Sequence, residues 1–291
     1  MSPSSSIEDF ERVLRKSENI VVVAGAGLSA ASGIPTFRDA GGLWRGHDPA
    51  TLATPSAFAA NPSLVWQFYH KRRGVALAAQ PNPGHFALAM LCEPAHLRVV
   101  APRAKSFTLV TQNVDGLSMR ARKDVHKRQV ERGSAGSGDV ASPHPLYEMH
   151  GRVLDTICTA CGHREHNGSS PLCPSLGDAS LENADNAQSI ALEDLPRCAQ
   201  CGGLLRPGVV WFEEVPHHMD QIQERVDAAD LCMVVGTSST VQPAAGYAYD
   251  VGENGGTVAV FNLQRSEGDE YADFLFLGPC EDTLPRILLN L

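Results

Sequence analysis

The run Ile20-Val-Val-Val-Ala24, broken by Gly25-Ala-Gly27-Leu-Ser-Ala30, decides the fold. An unbroken apolar, β-branched stretch with no polar alternation reads as a strand buried on both faces, the setting of a parallel sheet. The glycines behind it match G-x-G-x-x-A, a strand-to-helix turn whose bare backbone can approach a pyrophosphate. Taken alone, the match also describes a tight turn with no ligand; the strand in front favours the dinucleotide reading. Working outward, similar runs recur at Phe107–Thr111, Leu231–Val235, Thr257–Phe261 and Phe274–Leu277, separated by segments long enough for crossover helices. The pattern predicts a doubly wound α/β fold with a Rossmann-like parallel sheet. The first four runs end in small or polar residues, Gly25-Ala-Gly27, Gln112-Asn113, Gly236-Thr-Ser-Ser239 and Asn262. Ligands of open parallel sheets bind beyond the carboxyl ends of the strands, so these endings are expected to line one site.

Composition bounds the rest. The 291 residues are 43% apolar and 20% charged, enough for one large domain or two moderate ones with a real core. A formal charge of -9 argues against general polyanion binding and favours a basic partner. No apolar run approaches the roughly 20 residues of a membrane-spanning helix. The start Met1-Ser-Pro-Ser-Ser-Ser-Ile-Glu-Asp-Phe-Glu11 has neither the basic and apolar parts of a secretion signal nor the character of a clear mitochondrial presequence. The expectation is an intracellular chain whose eight Cys are thiols or metal ligands.

Two segments read as insertions into the sheet. Between about 49 and 89, Ala, Leu, Phe and Trp recur between Pro breaks, which predicts short helices forming a lid or side module. Cys158-x-x-Cys161 and Cys198-x-x-Cys201 are two thiolate hooks, and four sulfurs suit a structural zinc that keeps no open position for substrate. Cys173, between the hooks, is not expected to be a ligand. Two further stretches are read as mobile, solvated loops: Arg120–Arg132, with six Lys or Arg against two acids and leading into Gly133-Ser-Ala-Gly-Ser-Gly138, and Glu165–Leu195, with six acids. His150, in Tyr147-Glu-Met-His-Gly-Arg152, could titrate near neutrality as a general base, although spacing alone leaves this open. No acid appears where a dehydrogenase holds its ribose; instead Pro35-Thr-Phe37-Arg38-Asp39 follows the turn, which points away from plain hydride transfer.

Gly25–Arg38, Thr111-Gln-Asn-Val-Asp-Gly116, His150-Gly151, the two Cys pairs, Arg206-Pro-Gly-Val-Val-Trp-Phe212 and Gly236-Thr-Ser-Ser239 occur in one order along nearly the whole chain. Together they resemble the sirtuin family of NAD-dependent protein lysine deacylases. The resemblance implies one catalytic domain over 1–291, with a sheet lobe at about 1–48, 90–155 and 205–291, a helical module at 49–89 and a zinc module at 156–204. It implies NAD as a consumed co-substrate, with Gly25, Ala26, Gly27, Ser29, Gly33, Ile34, Pro35, Phe37 and Arg38 around the phosphates and the nicotinamide ribose. Gln112, Asn113 and Asp115 would surround the ribose and nicotinamide, and Gly236, Thr237, Ser238, Asn262 and Cys280 the adenosine half. His150 and Asn113 would be catalytic. In the family's reaction the acyl oxygen attacks the ribose carbon as nicotinamide leaves, and the products are lysine, nicotinamide and acyl-ADP-ribose.

Tyr69 and Arg72, three apart on an expected helix, share a face. They are similar to the pair with which desuccinylase-type sirtuins hold the carboxylate of malonyl-, succinyl- or glutaryl-lysine; the other reading is an exposed helix striped by Lys71 and Arg73. Ala53 would leave room for the longer chain, and Val210, Trp211 and Phe212 would line the acyl channel. Two departures stand out: Glu213 where the family has Gly, and Ser118 where a His is common. The expectation is a deacylase for acidic acyl groups with weak deacetylation, acting as a monomer on acyl-lysine proteins or peptides, with no specific nucleic acid and no membrane, in mitochondria, cytoplasm or nucleus. The alternatives are a protein mono-ADP-ribosyltransferase and a zinc-stabilised NAD scaffold.

Overall fold

The computed structural model describes residues 2–36, 44–133, 142–177, 189–266 and 268–289. In chain order the helices and strands are α1 (Ile7–Leu14), β1 (Asn19–Ala24), α2 (Pro49–Leu52), α3 (Pro55–Ala60), α4 (Pro62–Ala78), α5 (Pro83–Leu91), α6 (Pro94–Val100), β2 (Ser106–Thr111), α7 (Leu117–Gly133), β3 (Leu146–Glu148), β4 (Gly151–Cys158), β5 (Arg164–His166), β6 (Leu205–Val209), α8 (Met219–Asp227), β7 (Leu231–Val235), α9 (Tyr247–Glu253), β8 (Thr257–Asn262), β9 (Phe274–Leu277) and α10 (Cys280–Leu289).

Among the described residues, the main sheet has the order β3-β2-β1-β7-β8-β9, with every pairing parallel. The unbroken apolar runs make sense here, because alternate residues serve two cores. Ile20, Val22, Ala24, Phe107, Leu109 and Met233 face the layer of α1, α5, α6 and α10, while Val21, Val23, Val110, Cys232, Val234 and Val260 face α8 and α9. The chain steps outward from β1 through β2 to β3, then returns to β7 beside β1 and steps the other way. The β1/β7 boundary is therefore the point at which strand order reverses, where crevices form in such sheets.

A second, antiparallel sheet of order β5-β4-β6 carries the cysteine hooks. The cluster that includes Trp66, Phe68, Tyr69, Val153, Leu176, Leu195 and Trp211 joins it to α3 and α4. Each of α2 to α6 begins with Pro at its first turn, where the missing N–H costs nothing, so the Pro breaks in the sequence are helix starts. The helical module runs from α2 to α4; α5, at the edge of the 49–89 segment, packs into the main core with Leu88 and Leu91. Likewise β4 and β6 carry the metal-module sheet beyond both bounds of 156–204.

One loop expectation is corrected, and the other is described only at its ends. Arg120–Arg132 belongs to α7, whose Leu117, Ala121 and Val125 recur every fourth residue and are buried, the latter two beside Ala89. A narrow apolar stripe among so many charges hid the helix. In Glu165–Leu195, the described ends are packed: Leu176 and Leu195 are buried, and Ile190 donates its N–H to Ser63 Oγ at 2.8 Å. Residues 134–141 and 178–188 lie outside the described residues, as do Phe37 and Arg38. Nor is the α4 face a basic stripe. Arg73 is 1% exposed and donates to the carbonyls of Val153 (2.9 Å), Asn167 (2.6 Å) and Ser169 (3.0 Å), which fastens α4 to the cysteine-bearing sheet.

Candidate active site

The turns after β1 and β7 meet closely enough to exclude side chains. Gly27 donates its N–H to the Gly236 carbonyl at 2.7 Å, and a Cβ on Gly27 would stand 2.8 Å from Gly236 Cα. Gly236 has φ +60, and a Cβ there would fall 2.3 Å from the Leu28 nitrogen. The 3-10 turn Ala26–Ser32 closes on Gly33 in the left-handed region, φ +80, with Ile34 and Pro35 following at the surface. Bare backbone thus frames the crevice between β1 and β7.

A buried polar chain fixes its floor. Ser29 donates to the Asp115 carboxylate at 2.8 Å and accepts from Asn113 Nδ2 at 3.1 Å, while Asn113 also donates to the Gly25 carbonyl at 2.9 Å. His85 Nε2 lies 3.2 Å from Ser29 Oγ, and His85 Nδ1 takes the Asn82 backbone N–H at 3.3 Å, which puts the ring proton on Nε2. Burial pushes the His85 imidazole down to about 3, and burial raises Asp115 despite the Leu117 N–H and Ser29 hydroxyl that oppose it. His85 was not singled out by its sequence context; Asn82-Pro-Gly-His85 forms a capping box at the start of α5, the signal that could have found it. Across the crevice Gln112 Nε2 lies 3.3 Å from Thr237 Oγ1, and Asn262 Nδ2 donates to the Thr237 carbonyl at 3.0 Å. Ser238 is half-buried, and Cys280 is buried at the start of α10 with its sulfur 3.8 Å from the Phe261 carbonyl.

His150 sits just before β4, with Nδ1 3.0 Å from the Gln112 carbonyl. A carbonyl only accepts, so the proton resides on Nδ1 and Nε2 keeps its lone pair. Burial lowers the pKa, the Gln112 carbonyl opposes that, and nearby His217 adds to the lowering. The imidazole is therefore neutral and basic at physiological pH. Ser118 offers it no bond: its buried hydroxyl has no hydrogen-bond partner among the described residues, and Gln112 supplies the orientation instead.

The helical module meets the 210–214 segment at this crevice. Val210 donates its N–H to the His150 carbonyl at 2.8 Å, and Phe212 donates to the Ala53 carbonyl at 2.9 Å. Trp211 is buried and donates its indole N–H to Tyr69 Oη at 3.0 Å, whereas Phe212 is exposed. Burial raises the Tyr69 hydroxyl to about 12, so it is a proton donor at any working pH. Arg72 lies over the Phe68 ring at 5.2 Å; burial lowers its pKa, and the charges of Tyr69 and Asp115 oppose that. Glu213 is exposed at φ +75, a backbone conformation that explains why Gly is the usual residue there.

The Sγ atoms of Cys158, Cys161, Cys198 and Cys201 all lie within 4.8 Å of one another. A zinc tetrahedron with bonds of about 2.3 Å has edges of roughly 3.8 Å. The Cys158–Cys201 and Cys161–Cys198 separations, 3.4 and 3.9 Å, fit it. The N–H groups of Cys161 and Ala160 point at Cys158 Sγ and hold that thiol below its ordinary range, as a thiolate ligand requires. Gly203 is needed at the knuckle, since a Cβ would stand 2.9 Å from Cys158 Sγ. Cys173 lies apart, against the apolar cluster.

Comparison with known proteins places these observations in a family. Residues 25–243 match the model described as the Sir2 family. The chain is 44% identical to the mitochondrial NAD-dependent protein deacylase sirtuin-5 of Canis lupus familiaris, covering 98% of this chain and 86% of that one. It is 40% identical to an NAD-dependent protein deacylase of Daphnia pulex, covering 98% and 97% respectively. Among solved structures, a Sir2 homolog–NAD complex superposes with a TM-score of 0.76 at 32% identity, over 100% of this chain and 95% of that one.

Proposed function

This chain belongs to the Sir2 family, and from that premise we propose that it removes acidic acyl groups, malonyl, succinyl or glutaryl, from protein lysines. It is an NAD-dependent protein deacylase, like its relatives. NAD supplies an electrophilic ribose carbon, with nicotinamide as the leaving group. The β1/β7 boundary suits such a molecule, because strand order reverses there and the glycines let the two turns close on each other at the strands' carboxyl ends. The turn residues Gly25, Ala26, Gly27, Gly33, Ile34 and Pro35 bind the phosphates and near ribose, together with Phe37 and Arg38. Gln112, Asn113 and Asp115 hold the nicotinamide end, with Ser29 fixing the last two through its hydroxyl. Gly236, Thr237, Ser238, Asn262 and Cys280 hold the adenosine end. His150 accepts a proton from a ribose hydroxyl at Nε2, while its Nδ1–H stays on the Gln112 carbonyl. The four cysteines hold a structural zinc.

The observation that carries the acyl preference is the pairing on α4 of a buried Tyr69 hydroxyl, already accepting one bond from Trp211, with the Arg72 guanidinium one turn along. A donor hydroxyl and a guanidinium side by side read a carboxylate and gain nothing from a methyl group. Val210, Trp211 and Phe212 form one wall of the channel, and Ala53, small and bonded to Phe212 through its carbonyl, the other. The preferred partners are acyl-lysine proteins or peptides and the chain acts as a monomer. Mitochondrial placement follows the names of several relatives. A matched panel of acetyl, malonyl, succinyl and glutaryl peptides, with and without NAD and with products read by mass spectrometry, tests this. Acyl-ADP-ribose formed fastest from the acidic peptides is the expected result; ADP-ribose left on protein, or fastest turnover of acetyl peptide, overturns it.

A further inference from the structure

The indole that touches Tyr69 is held by two residues with no place in the reaction itself. The Arg206 guanidinium lies flat over the Trp211 ring, 3.5 Å from its centroid. The same guanidinium makes a two-pronged ion pair with Glu214, one prong at 2.8 Å, and donates to the Val209 carbonyl at 3.0 Å. Glu214 in turn accepts the backbone N–H of Trp211 at 2.8 Å. Burial pulls the Glu214 carboxyl upward, yet Arg206 and the Trp211 N–H outweigh it and keep it ionised. On its other side the indole meets the Phe58 ring at 5.3 Å. Ring, backbone and charge therefore fix Trp211 from three directions.

The polarity of the next bond matters. An indole N–H can only donate, so at Tyr69 the hydroxyl oxygen must accept, and its single proton is left for another acceptor. No acceptor takes it among the described residues. Were the indole free to swing, the hydroxyl could turn that proton elsewhere, and the oxygen would present lone pairs to an incoming anion. We propose that Arg206 and Glu214 are positioning residues for acyl selection: by clamping Trp211 they keep its N–H on Tyr69 and so commit the tyrosine proton to a carboxylate at the far end of the acyl chain. This rests on the acidic-acyl reading above.

The test compares kcat/KM for succinyl and acetyl peptides in Arg206→Met, which removes the clamp, and Trp211→Phe, which keeps a ring but deletes the N–H. Each is made alone and in a Tyr69→Phe background, with melting temperature and zinc content as folding controls. The succinyl-to-acetyl ratio should fall about three- to tenfold in each single variant. It should fall no further when either change is added to Tyr69→Phe, because the relay acts only through that hydroxyl. Arg206→Lys, which keeps the charge but not the planar stack, should give an intermediate ratio. An unchanged ratio in both single variants, or a loss undiminished by Tyr69→Phe, overturns the proposal. If Arg206→Met does not fold, Trp211→Phe and Arg206→Lys decide the matter. A wild-type enzyme with no succinyl preference, or a Tyr69→Phe variant with an unaltered ratio, would instead refute the acidic-acyl reading.

Discussion

Replacing Arg72 by Met removes the guanidinium that lies over the Phe68 ring while keeping an unbranched, flexible apolar stem, so it chiefly tests the charge at the acyl end. A charge-assisted hydrogen bond to a carboxylate contributes about 1.5–3 kcal/mol. At about 1.4 kcal/mol per decade this predicts a fall of roughly one to two decades in kcat/KM for succinyl peptide. Acetyl peptide has no carboxylate and should lose far less. A secondary effect has a known sign. The Asp115 carboxyl, already raised by burial, feels the cations of Arg120 and Arg72, so removing one raises it further. Rates compared at about pH 8, well above a carboxyl's ordinary range, keep that effect small. Initial rates at saturating NAD, with nicotinamide and deacylated peptide both quantified, give the two constants. An equal loss on both substrates, or no loss on either, would refute the carboxylate role.

Three further outcomes are expected. His85 stays neutral in the fold down to about 3, whereas an unfolded imidazole protonates near 6.5, so the unfolded state binds the extra proton between those values. Stability should thus fall as pH drops through that window, by about 1.4 kcal/mol per unit from this group, and urea titrations of wild type and His85→Gln should differ in that slope. Stripping the metal with a chelator should lower the melting temperature, because ligand binding by the four thiolates is coupled to folding; an unchanged melt after verified metal loss would contradict this. Glu213→Gly should raise stability by about 0.5 kcal/mol, the relief of a left-handed non-glycine residue less the entropy that glycine adds to the unfolded chain, and a fall would show that the glutamate is held by a contact.

What could be read from the sequence was whatever local pattern dictates. Unbroken runs such as Leu231–Val235 gave the parallel strands, because a strand covered on both faces has no other apolar signature. The doubled Cys pairs announced their cluster, since each hook is short-range. What escaped depends on partners distant in sequence. Arg73 looks like any helical arginine until its three carbonyl acceptors, 80 to 96 residues away, come into view. Among the described residues of α7, Leu117, Ala121 and Val125 are the buried apolar ones, a thin stripe beside the partly buried Met119. The short strand β3 is three residues long, too brief to leave a periodicity. His85 shows only half of its setting in the chain: its capping partner Asn82 is three residues away, but Ser29, which it touches across the crevice floor, is 56 residues away.

The Arg73 anchorage makes α4 a passenger of the sulfur-bearing hairpin. Val153 lies in β4 and Asn167 and Ser169 follow directly after β5, and Tyr69 and Arg72 sit four and one residues before the bolt on α4. Slackening the cysteine knuckle would therefore blunt discrimination between modified lysines first. The dinucleotide crevice hangs from a different sheet and would keep its grip, so a partly demetallated population should remain able to hold cofactor while losing its taste in substrates.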